Sequence, residues 1–389
     1  MARFARRITQ TSPKSFGMFQ KAAALASSGV DLIHLELGRP FHDTPAHIKD
    51  AAIKALRDGH VHYSDMRGEA ELRQALKTKL ADYNKIDVSA DEILMVNGLT
   101  QASFVAFMAL LDEGDEAILL EPYYPQHINK IEMTGARVIL APLDPKTNFS
   151  ISRELIEPLI TARTRMIVLV NPSNPTGRVY SRAELEILAD LAIKHDLVIV
   201  SDEVYEQILF DGAEHISIAA LPGMKERTIS MFAFTKAYAM DGWRLGYVVA
   251  DASMMPAFLK LTANEITHVN TFIQYGALAA VTGPAAILDE MVADDRRKRD
   301  LVVSRLNQMP GVTCESPQGT IYAFPDISGT GLTSQKAADM ILEQVGVVVE
   351  AGGFYGKSGD NHLRVCFGSE SYERLEQAMD RLSTFFNGL

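Results

Sequence analysis

The sequence predicts an α/β protein, with a mostly parallel central sheet sandwiched by helices and a smaller α+β domain beside it. Short apolar or β-branched runs of strand length recur along the chain. Between several of these runs lie segments whose apolar residues repeat every three or four positions, which is the spacing of an amphipathic helix. Strands and helices that alternate in this rhythm are typical of parallel sheets covered on both faces.

Seven runs are expected to form the sheet: residues 93–96, 117–120, 138–141, 166–170, 197–200, 229–232 and 246–250. Helices are expected over residues 102–111, 126–133 and 182–194. After residue 250 the pattern predicts long helices, 254–265 and 271–306, the second broken at Gly283-Pro284. The last part is mixed, with strands near 320–324 and 363–367 and helices near 334–344 and 371–386.

The change of pattern after residue 250 predicts two domains. Residues 45–288 would form a large domain around the sheet, and residues 1–44 would join residues 289–389 in a small domain. A chain of 389 residues is long enough to give each domain its own core.

Composition argues against several classes of protein. With 38 Lys+Arg against 49 Asp+Glu the net charge is −11, which disfavours nucleic-acid or anionic-membrane surfaces. The basic run at residues 296–299 is interleaved with aspartates and is expected to be a solvated helix face. Apolar runs fall short of the roughly 18 residues of a membrane span. Two isolated cysteines favour a reducing compartment, and a cytoplasmic location is expected.

Common catalytic and nucleotide-binding signatures do not occur. The chain lacks G-x-x-x-x-G-K-[ST], G-x-S-x-G and H-E-x-x-H, and no G-x-G-x-x-G follows the early strands. His60 and His62 have no third ligand nearby in sequence, so they are interpreted as structural or surface residues and no metal site is expected.

A lysine after a buried strand is the first catalytic candidate. Lys236 ends the string MFAFTK at residues 231–236, in a loop position where α/β folds carry ligands. Burial there would lower the pKa of the amine and free it for Schiff-base chemistry. Arg244 follows eight residues later in DGWRLG. The segment from Ala233 to Gly246 resembles the lysine signature of the class I, fold-type I, pyridoxal-phosphate-dependent aminotransferases. The departure is Ala233, where the family usually has a serine or glycine.

Five further motifs occur in the order of that family and extend the resemblance over nearly the whole chain. They are LELGRP at 35–40, VNGLTQ at 96–101, NPSNPTG at 171–177, SDEVY at 201–205 and HLRVCFG at 362–368. The resemblance, which is aspartate aminotransferase-like, implies the fold-type I architecture, the cofactor pyridoxal 5′-phosphate and a homodimer with shared active sites.

The resemblance also implies roles for residues at the cofactor ring. Lys236 would hold the cofactor as a Schiff base and then move the proton between the substrate's Cα and the cofactor. Asp202 would pair with the pyridine nitrogen and keep it protonated. Asn174 and Tyr205 would hydrogen-bond the ring's phenolic oxygen, and Tyr124 would stack on the ring.

The remaining roles concern the phosphate and the substrate. The backbone N–H groups of Gly98, Leu99 and Thr100 at a helix N-terminus would bind the phosphate together with Arg244. Tyr63 would reach the phosphate of the neighbouring subunit. The substrate α-carboxylate would be bound by Arg364, with help from the backbone of Gly38 and from Asn174. The predicted site therefore consists of twelve residues: Gly38, Tyr63, Gly98, Leu99, Thr100, Tyr124, Asn174, Asp202, Tyr205, Lys236, Arg244 and Arg364.

The resulting hypothesis is an amino acid:2-oxo acid aminotransferase that works by a ping-pong cycle. The shared fold and lysine leave open another pyridoxal-phosphate reaction on an amino acid, such as β-elimination by a C–S lyase. A cofactor-binding DNA regulator is disfavoured, because the family match begins near residue 30 and no helix-turn-helix fits in front of it.

The donor's side chain is left open by the sequence. Thr100 stands where some aspartate-active relatives use a lysine, and Arg39 is a candidate reader of acidic or polar side chains or a domain-interface ion pair. Residues 12–20 are candidates for a segment that folds over the substrate, or for a surface tether.

Overall fold

A computed structural model describes residues 3–12, 17–26 and 29–389. Its strands, in chain order, are β1 Ile33–His34, β2 Ile93–Val96, β3 Glu116–Glu121, β4 Arg137–Pro142, β5 Thr164–Val170, β6 Val198–Asp202, β7 Thr228–Ala233, β8 Gly246–Val249, β9 Tyr322–Ala323, β10 Val347–Val348, β11 Glu350–Ala351 and β12 Leu363–Cys366. Its α-helices are α1 Arg6–Thr9, α2 Met18–Ala26, α3 Ala46–Arg57, α4 Ala70–Lys79, α5 Leu99–Leu110, α6 Gln126–Thr134, α7 Arg153–Ile156, α8 Arg182–His195, α9 Met255–Glu265, α10 Thr271–Thr282, α11 Ala285–Leu306, α12 Ser334–Val345 and α13 Tyr372–Asn387.

The predicted mostly parallel sheet is confirmed. Seven strands lie in the order β2-β8-β7-β6-β5-β3-β4. The five strands from β7 to β4 pair in parallel, and only β8 runs against its two neighbours. Because β8 is antiparallel to both β2 and β7, β2 points the same way as the parallel strands. Six strands therefore have their carboxyl ends at one edge of the sheet.

The loops at that edge carry the motifs that the sequence analysis selected. The edge receives the VNGLTQ segment after β2, Tyr123 and Tyr124 after β3, the NPSNPTG segment after β5, and Lys236 after β7. Asp202 is itself the last residue of β6. Ligands of open α/β sheets bind outside the carboxyl ends of the strands, so the topology alone brings these distant segments together.

The C-terminal part has its own small sheets and core. β11, β12 and β9 form an antiparallel sheet, and β1 pairs in parallel with β10. One apolar cluster joins residues of α2 and β1 to residues from α11 to α13, including Met18, Ile33, Leu375 and Phe385. Three other clusters pack around the seven-stranded sheet and its helices.

The predicted break at Gly283-Pro284 is also confirmed. It separates α10 from α11, and the two helices meet at an angle of 83°. Among the described residues no single helix is long and apolar enough to cross a membrane, although this bent pair passes the same test of length and composition when taken together.

The expectation of a solvated helix face at residues 296–299 is wrong for half of the run. Arg296 and Arg297 are exposed, but Lys298 and Arg299 are buried. The Lys298 ammonium lies 2.7 Å from Asp294 and 4.5 Å from the centre of the Phe41 ring. Charge spacing along a helix does not reveal which turn of the helix packs inward, and the long aliphatic stem of lysine allows such burial.

Asp295, in the same helix, should make stability depend on pH. Its carboxyl is buried, and burial raises its pKa from the usual 3.8 to about 7. Between these two values the folded state retains a proton that the unfolded state releases, so the free energy of unfolding falls as pH rises through the window. We expect Asp295→Asn to raise Tm by a few degrees at pH 8 and to have a much smaller effect near pH 4.

Thermal unfolding followed by circular dichroism at both pH values measures this effect. Asp289→Asn, at an exposed position of the same helix, is the matched control and should show no difference between the two pH values. A Tm shift for Asp295→Asn that is equal at pH 4 and pH 8 would contradict the assignment of a raised pKa.

Candidate active site

A cavity of about 780 Å³ lies at the carboxyl edge of the sheet. Ten of the twelve predicted site residues line it: Gly38, Leu99, Thr100, Tyr124, Asn174, Asp202, Tyr205, Lys236, Arg244 and Arg364. These residues come from segments that are up to about three hundred positions apart in the chain, and the fold brings them around one volume. The wall also holds residues that the sequence analysis did not select.

The two other predicted residues lie outside the cavity wall. Gly98 caps the N-terminus of α5, and a Cβ placed on it would lie 2.6 Å from a guanidinium nitrogen of Arg244. Gly98 also has a φ of +75°, a conformation that favours glycine. The side chain of Tyr63 is 89% exposed, with its ring edge-on to His268 at a centroid distance of 5.4 Å. It therefore points to solvent in this single chain.

Lys236 projects into the cavity. Its ammonium nitrogen donates to the carbonyl oxygen of Gly38. Burial lowers the pKa of Lys236 from its usual 10.5 to about 8, because the charged form loses solvation. The nearby guanidinium groups of Arg364 and Arg244 act in the same direction. An amine with this pKa is partly neutral near pH 7 and 8, which is what a nucleophile or a proton carrier requires.

Asp202 provides a buried carboxylate in the same wall. Its Oδ2 lies 3.6 Å from Nε2 of His127, a residue of α6. Burial lowers the pKa of His127, so its ring is neutral at pH 7. The ring packs edge-on against Tyr124 and Phe107. His127 thus lies against Asp202 without neutralising it, which leaves that carboxylate able to pair with a cationic group of a ligand.

One end of the cavity suits a phosphate. Leu99 and Thr100 form the first turn of α5, whose unpaired backbone N–H groups and helix dipole favour an anion. Arg244 adds a guanidinium at the same end and is held by a hydrogen bond of 2.9 Å to the carbonyl oxygen of Asp241. Ala233 lines the wall beside them and contributes no hydroxyl group.

The other end of the cavity suits a carboxylate. Arg364 is buried, donates to Oδ1 of Asn174 at 3.1 Å, and also donates to the carbonyl oxygen of Glu36. Its guanidinium lies over the rings of Tyr322 and Tyr355, 4.3 and 5.0 Å from their centres. These ring contacts and hydrogen bonds hold the guanidinium in place, and a held guanidinium plane favours bidentate binding of a carboxylate.

Two tyrosines and a glycine of the cavity wall lie close together. The hydroxyl groups of Tyr205 and Tyr322 share a hydrogen bond of 2.7 Å. A Cβ on Gly38 would lie 1.9 Å from the Tyr322 hydroxyl, so only glycine allows the backbone to pass this close. Tyr205 is therefore positioned by a neighbour that the sequence analysis did not identify.

Several residues of the described cavity wall were not predicted from the sequence. Five of them have titratable side chains that lie near predicted site residues: Glu36, His127, Tyr322, Glu350 and Tyr355. His127 has no motif around it, and an isolated histidine on a helix carries no functional signal. Glu36 lies inside the LELGRP motif, from which only Gly38 was predicted to be a site residue. The other three lie in short strands and turns of the C-terminal part, where no periodic pattern marks an inward-facing side chain.

Parts of the segment at residues 12–20 also reach the cavity. Ser12 and Phe19 line it, and the backbone N–H of Ser12 donates to Glu132 of α6 at 2.8 Å. Residues 13–16 of the segment lie outside the described residues. Arg39, the candidate reader of acidic side chains, is exposed and is not part of the cavity wall.

A second polar cluster lies next to Asp202 in the chain. Glu203, Glu206 and His215 bring one ligand atom each within 4.8 Å of one another, a spacing that could hold a metal ion. Each carboxylate already has a partner: Glu203 lies 2.7 Å from His215, and Glu206 pairs with the ammonium of Lys79. The lysine supplies the positive charge that the buried carboxylates need.

The residues in the cavity fit pyridoxal phosphate. A helix N-terminus with an arginine suits the phosphate, a buried carboxylate without a cationic partner suits the pyridine nitrogen, and a lysine of lowered pKa suits the aldehyde. Arg364 remains for the carboxylate of an amino acid. The donor set is thus complete for this cofactor and for an amino acid beside it.

Comparisons with known proteins agree with this fit. Residues 30–382 match the family model described as aminotransferase class I and II. An aspartate aminotransferase of Pyrococcus abyssi is 36% identical over 366 residues, 93% of this chain and 94% of the relative. An arginine–pyruvate transaminase of Pseudomonas aeruginosa is 37% identical over 93% of this chain and 92% of the relative.

A solved structure gives the same result. The structure of aspartate aminotransferase from Thermus thermophilus with maleate has a TM-score of 0.93 and 34% identity, over 99% of this chain and all of the other. These matches confirm the predicted fold-type I architecture, aminotransferase activity and cofactor. They do not favour the alternative interpretation as a C–S lyase. The chain belongs to the class I and II aminotransferase family and is a pyridoxal-phosphate-dependent amino acid aminotransferase.

Proposed function

We propose that the enzyme transfers the amino group of an amino acid to a 2-oxo acid by a ping-pong cycle in which Lys236 carries the proton. The observation that supports this most is the position of Lys236: a lysine of lowered pKa shares one cavity with Arg364 and Asp202. When bound, pyridoxal phosphate supplies an aldehyde for the amino group and a ring that accepts the electrons released at Cα.

Lys236 has two roles in this proposal. It would hold the cofactor covalently in the resting enzyme, and it would be a free amine while an amino acid is bound. The free amine would then take the proton from the substrate's Cα and deliver it to the carbon that had been the cofactor's aldehyde. A pKa of about 8 suits both directions, since the amine accepts and releases a proton near neutral pH.

Asp202, Tyr205 and Asn174 hold the ring in this proposal. Asp202 would keep the pyridine nitrogen protonated, and His127 packs against the carboxylate. The Tyr205 hydroxyl, held by Tyr322, donates to the phenolic oxygen. Since Oδ1 of Asn174 accepts from Arg364, its amide N–H is left to donate toward the ring.

The remaining assignments concern the ends of the cavity. Gly98, Leu99, Thr100 and Arg244 bind the phosphate, and Tyr124 stacks on the ring from its place in the wall. The substrate's α-carboxylate binds to Arg364, with help from Asn174 and from the backbone of Gly38.

The homodimer also belongs to this proposal, with Tyr63 reaching the phosphate of the neighbouring subunit. Its support is a set of exposed apolar side chains in the stretch of chain that ends at Tyr63: those of Phe41, Ile53, Leu56 and Val61 are between 44% and 57% exposed. Large apolar patches on a folded chain mark interaction surfaces. Light scattering of the pure protein should give twice the 42.8 kDa of one chain.

We further propose the two-domain division at residues 45–288 and 1–44 with 289–389, and a cytoplasmic location. The division is supported by the apolar cluster that joins α2 and β1 to the C-terminal helices. The location is supported by Cys314 and Cys366, which are buried free thiols.

A half-reaction tests the proposed activity. The cofactor-loaded protein is mixed with one amino acid and no 2-oxo acid, and the absorption spectrum and the products are measured. We expect the yellow colour to bleach with one equivalent of 2-oxo acid per active site. Ammonia and a released leaving group in place of that product would indicate elimination and would overturn the proposal.

A further inference from the structure

Two carboxylates in the cavity wall have no role in the proposed function. Glu36 and Glu350 both line the cavity, and both are buried, with 3% and 4% of their surface exposed. Burying a carboxylate is costly unless a partner compensates its charge. Their position next to a substrate site raises the question of what that partner is.

Glu350 lies beside the arginine assigned to the substrate. It is directly opposite Arg364 in the antiparallel pair of β11 and β12. Directly opposed residues project from the same face of a sheet, with Cβ atoms about 5 Å apart. A donor whose α-carboxylate binds to Arg364 therefore has Glu350 as a close neighbour. The Glu350 carboxylate also accepts backbone N–H groups of Met18, at 3.1 and 3.3 Å, and of Ala351.

Glu36 has an oxygen with no partner among the described residues. Its Oε1 lies 2.9 Å from Nδ1 of His34, whereas its Oε2 is fully buried and makes no hydrogen bond there. The charge of Glu36 is also near enough to Glu350 to help raise the pKa of Glu350, which burial raises to about 7. The two carboxylates are thus near each other, and the cation that acts on Glu350 is the Arg364 guanidinium, which the proposed function assigns to the substrate's α-carboxylate.

The described cavity wall carries equal numbers of positive and negative side chains. Its cationic side chains are Lys236, Arg244 and Arg364, and its carboxylates are Asp202, Glu36 and Glu350. Under the proposed function, the cofactor engages Lys236, Asp202 and Arg244, and the α-carboxylate engages Arg364. Glu36 and Glu350 are then the charged side chains of the described wall that have no ligand group assigned to them. An acidic donor side chain would meet them with like charge, and it would find no further cation in the described wall.

We propose that Glu36 and Glu350 together bind a cationic group at the end of the donor's side chain, so that the enzyme prefers a basic amino acid with a guanidinium or ammonium group. The inference rests on the proposed function, because it uses Arg364 as the site of the α-carboxylate. A guanidinium fits two carboxylates especially well, since its planar fork offers five donors.

Equilibrium binding tests this inference without turnover. The cofactor-loaded enzyme is titrated in a calorimeter with 5-guanidinopentanoate and with its neutral isostere 5-ureidopentanoate. A second pair, 6-aminohexanoate and hexanoate, tests the ammonium group. We expect the cationic member of at least one pair to bind at least about tenfold more tightly, and the two pairs distinguish guanidinium from ammonium.

Variants identify the residues responsible. Glu350→Gln and Glu36→Gln keep the shape and the acceptor oxygen but remove the charge, and each should lower the preference at least about fivefold. Glu343→Gln, at an exposed position of α12, is the control and should keep the preference of the parent. Using two variants guards against the loss of folding in one, which thermal unfolding would detect.

Three outcomes would overturn the inference: equal binding of charged and neutral ligands, tighter binding of an anionic ligand such as glutarate, or equal weakening of all ligands by Glu350→Gln. The last would make Glu350 only an anchor for the backbone of Met18. Failure of the proposed function would look different, because no donor would then yield a 2-oxo acid in the half-reaction.

Discussion

Lys236→Ala is expected to lower kcat by at least about 10⁴-fold with every donor while the protein still binds pyridoxal phosphate noncovalently. The alanine removes the covalent link to the cofactor and also removes the amine that moves the proton at Cα. The phosphate site and Asp202 stay intact, because neither depends on the lysine in its hydrogen bonds. Steady-state kinetics measure the loss, and dialysis followed by absorption measures the retained cofactor.

Borohydride reduction separates the two roles of the lysine. Reduction followed by mass spectrometry should add the cofactor to the parent chain and should add nothing to Lys236→Ala. Lys260→Ala, at an exposed position of α9, is the matched control and should behave as the parent in both measurements. Turnover of Lys236→Ala within about tenfold of the parent would refute the catalytic assignment.

Most of the fold could be predicted because it depends on local patterns. All seven strands of the central sheet were predicted to within two residues at each end, and the break between α10 and α11 follows from Gly283-Pro284. Residues such as Asp202 and Lys236 were predictable for a related reason. They lie at or after the carboxyl ends of parallel strands, and such ends meet at one edge.

The residues that were missed depend on long-range packing. Tyr322 matters because its hydroxyl group shares a hydrogen bond with that of Tyr205 and lies close to Gly38. Both of these residues are far from Tyr322 in the chain. Glu350 matters because its strand pairs with that of Arg364. Neither contact has a local signature, since a single buried tyrosine or glutamate on a two-residue strand shows no period. Lys298 was wrongly predicted to be solvated, because its burial also depends on packing against a distant segment, at Phe41.

A second large effect is expected at Arg364, the arginine assigned to the substrate's α-carboxylate. Arg364→Lys is expected to lower kcat/KM by about 10²-fold or more, mainly through a higher KM. Lysine keeps one positive charge but cannot form the two parallel hydrogen bonds of a guanidinium. It would also lose the contacts of the guanidinium with the Tyr322 and Tyr355 rings and its hydrogen bond to Asn174. Because the α-carboxylate is present in both the ground state and the transition state, kcat should change much less than KM.

A comparison of two donors shows whether the lost contact is the one to the α-carboxylate. The parent should prefer an amino acid over the amine that lacks its carboxylate, and Arg364→Lys should lose most of this preference because the amine never used the guanidinium. Arg305→Lys, whose partner Asp380 lies on the surface, is the control and should keep the preference. If Arg364→Lys slowed both donors by the same factor, the arginine would be supporting the architecture of the cavity, and the substrate's carboxylate would have to bind elsewhere.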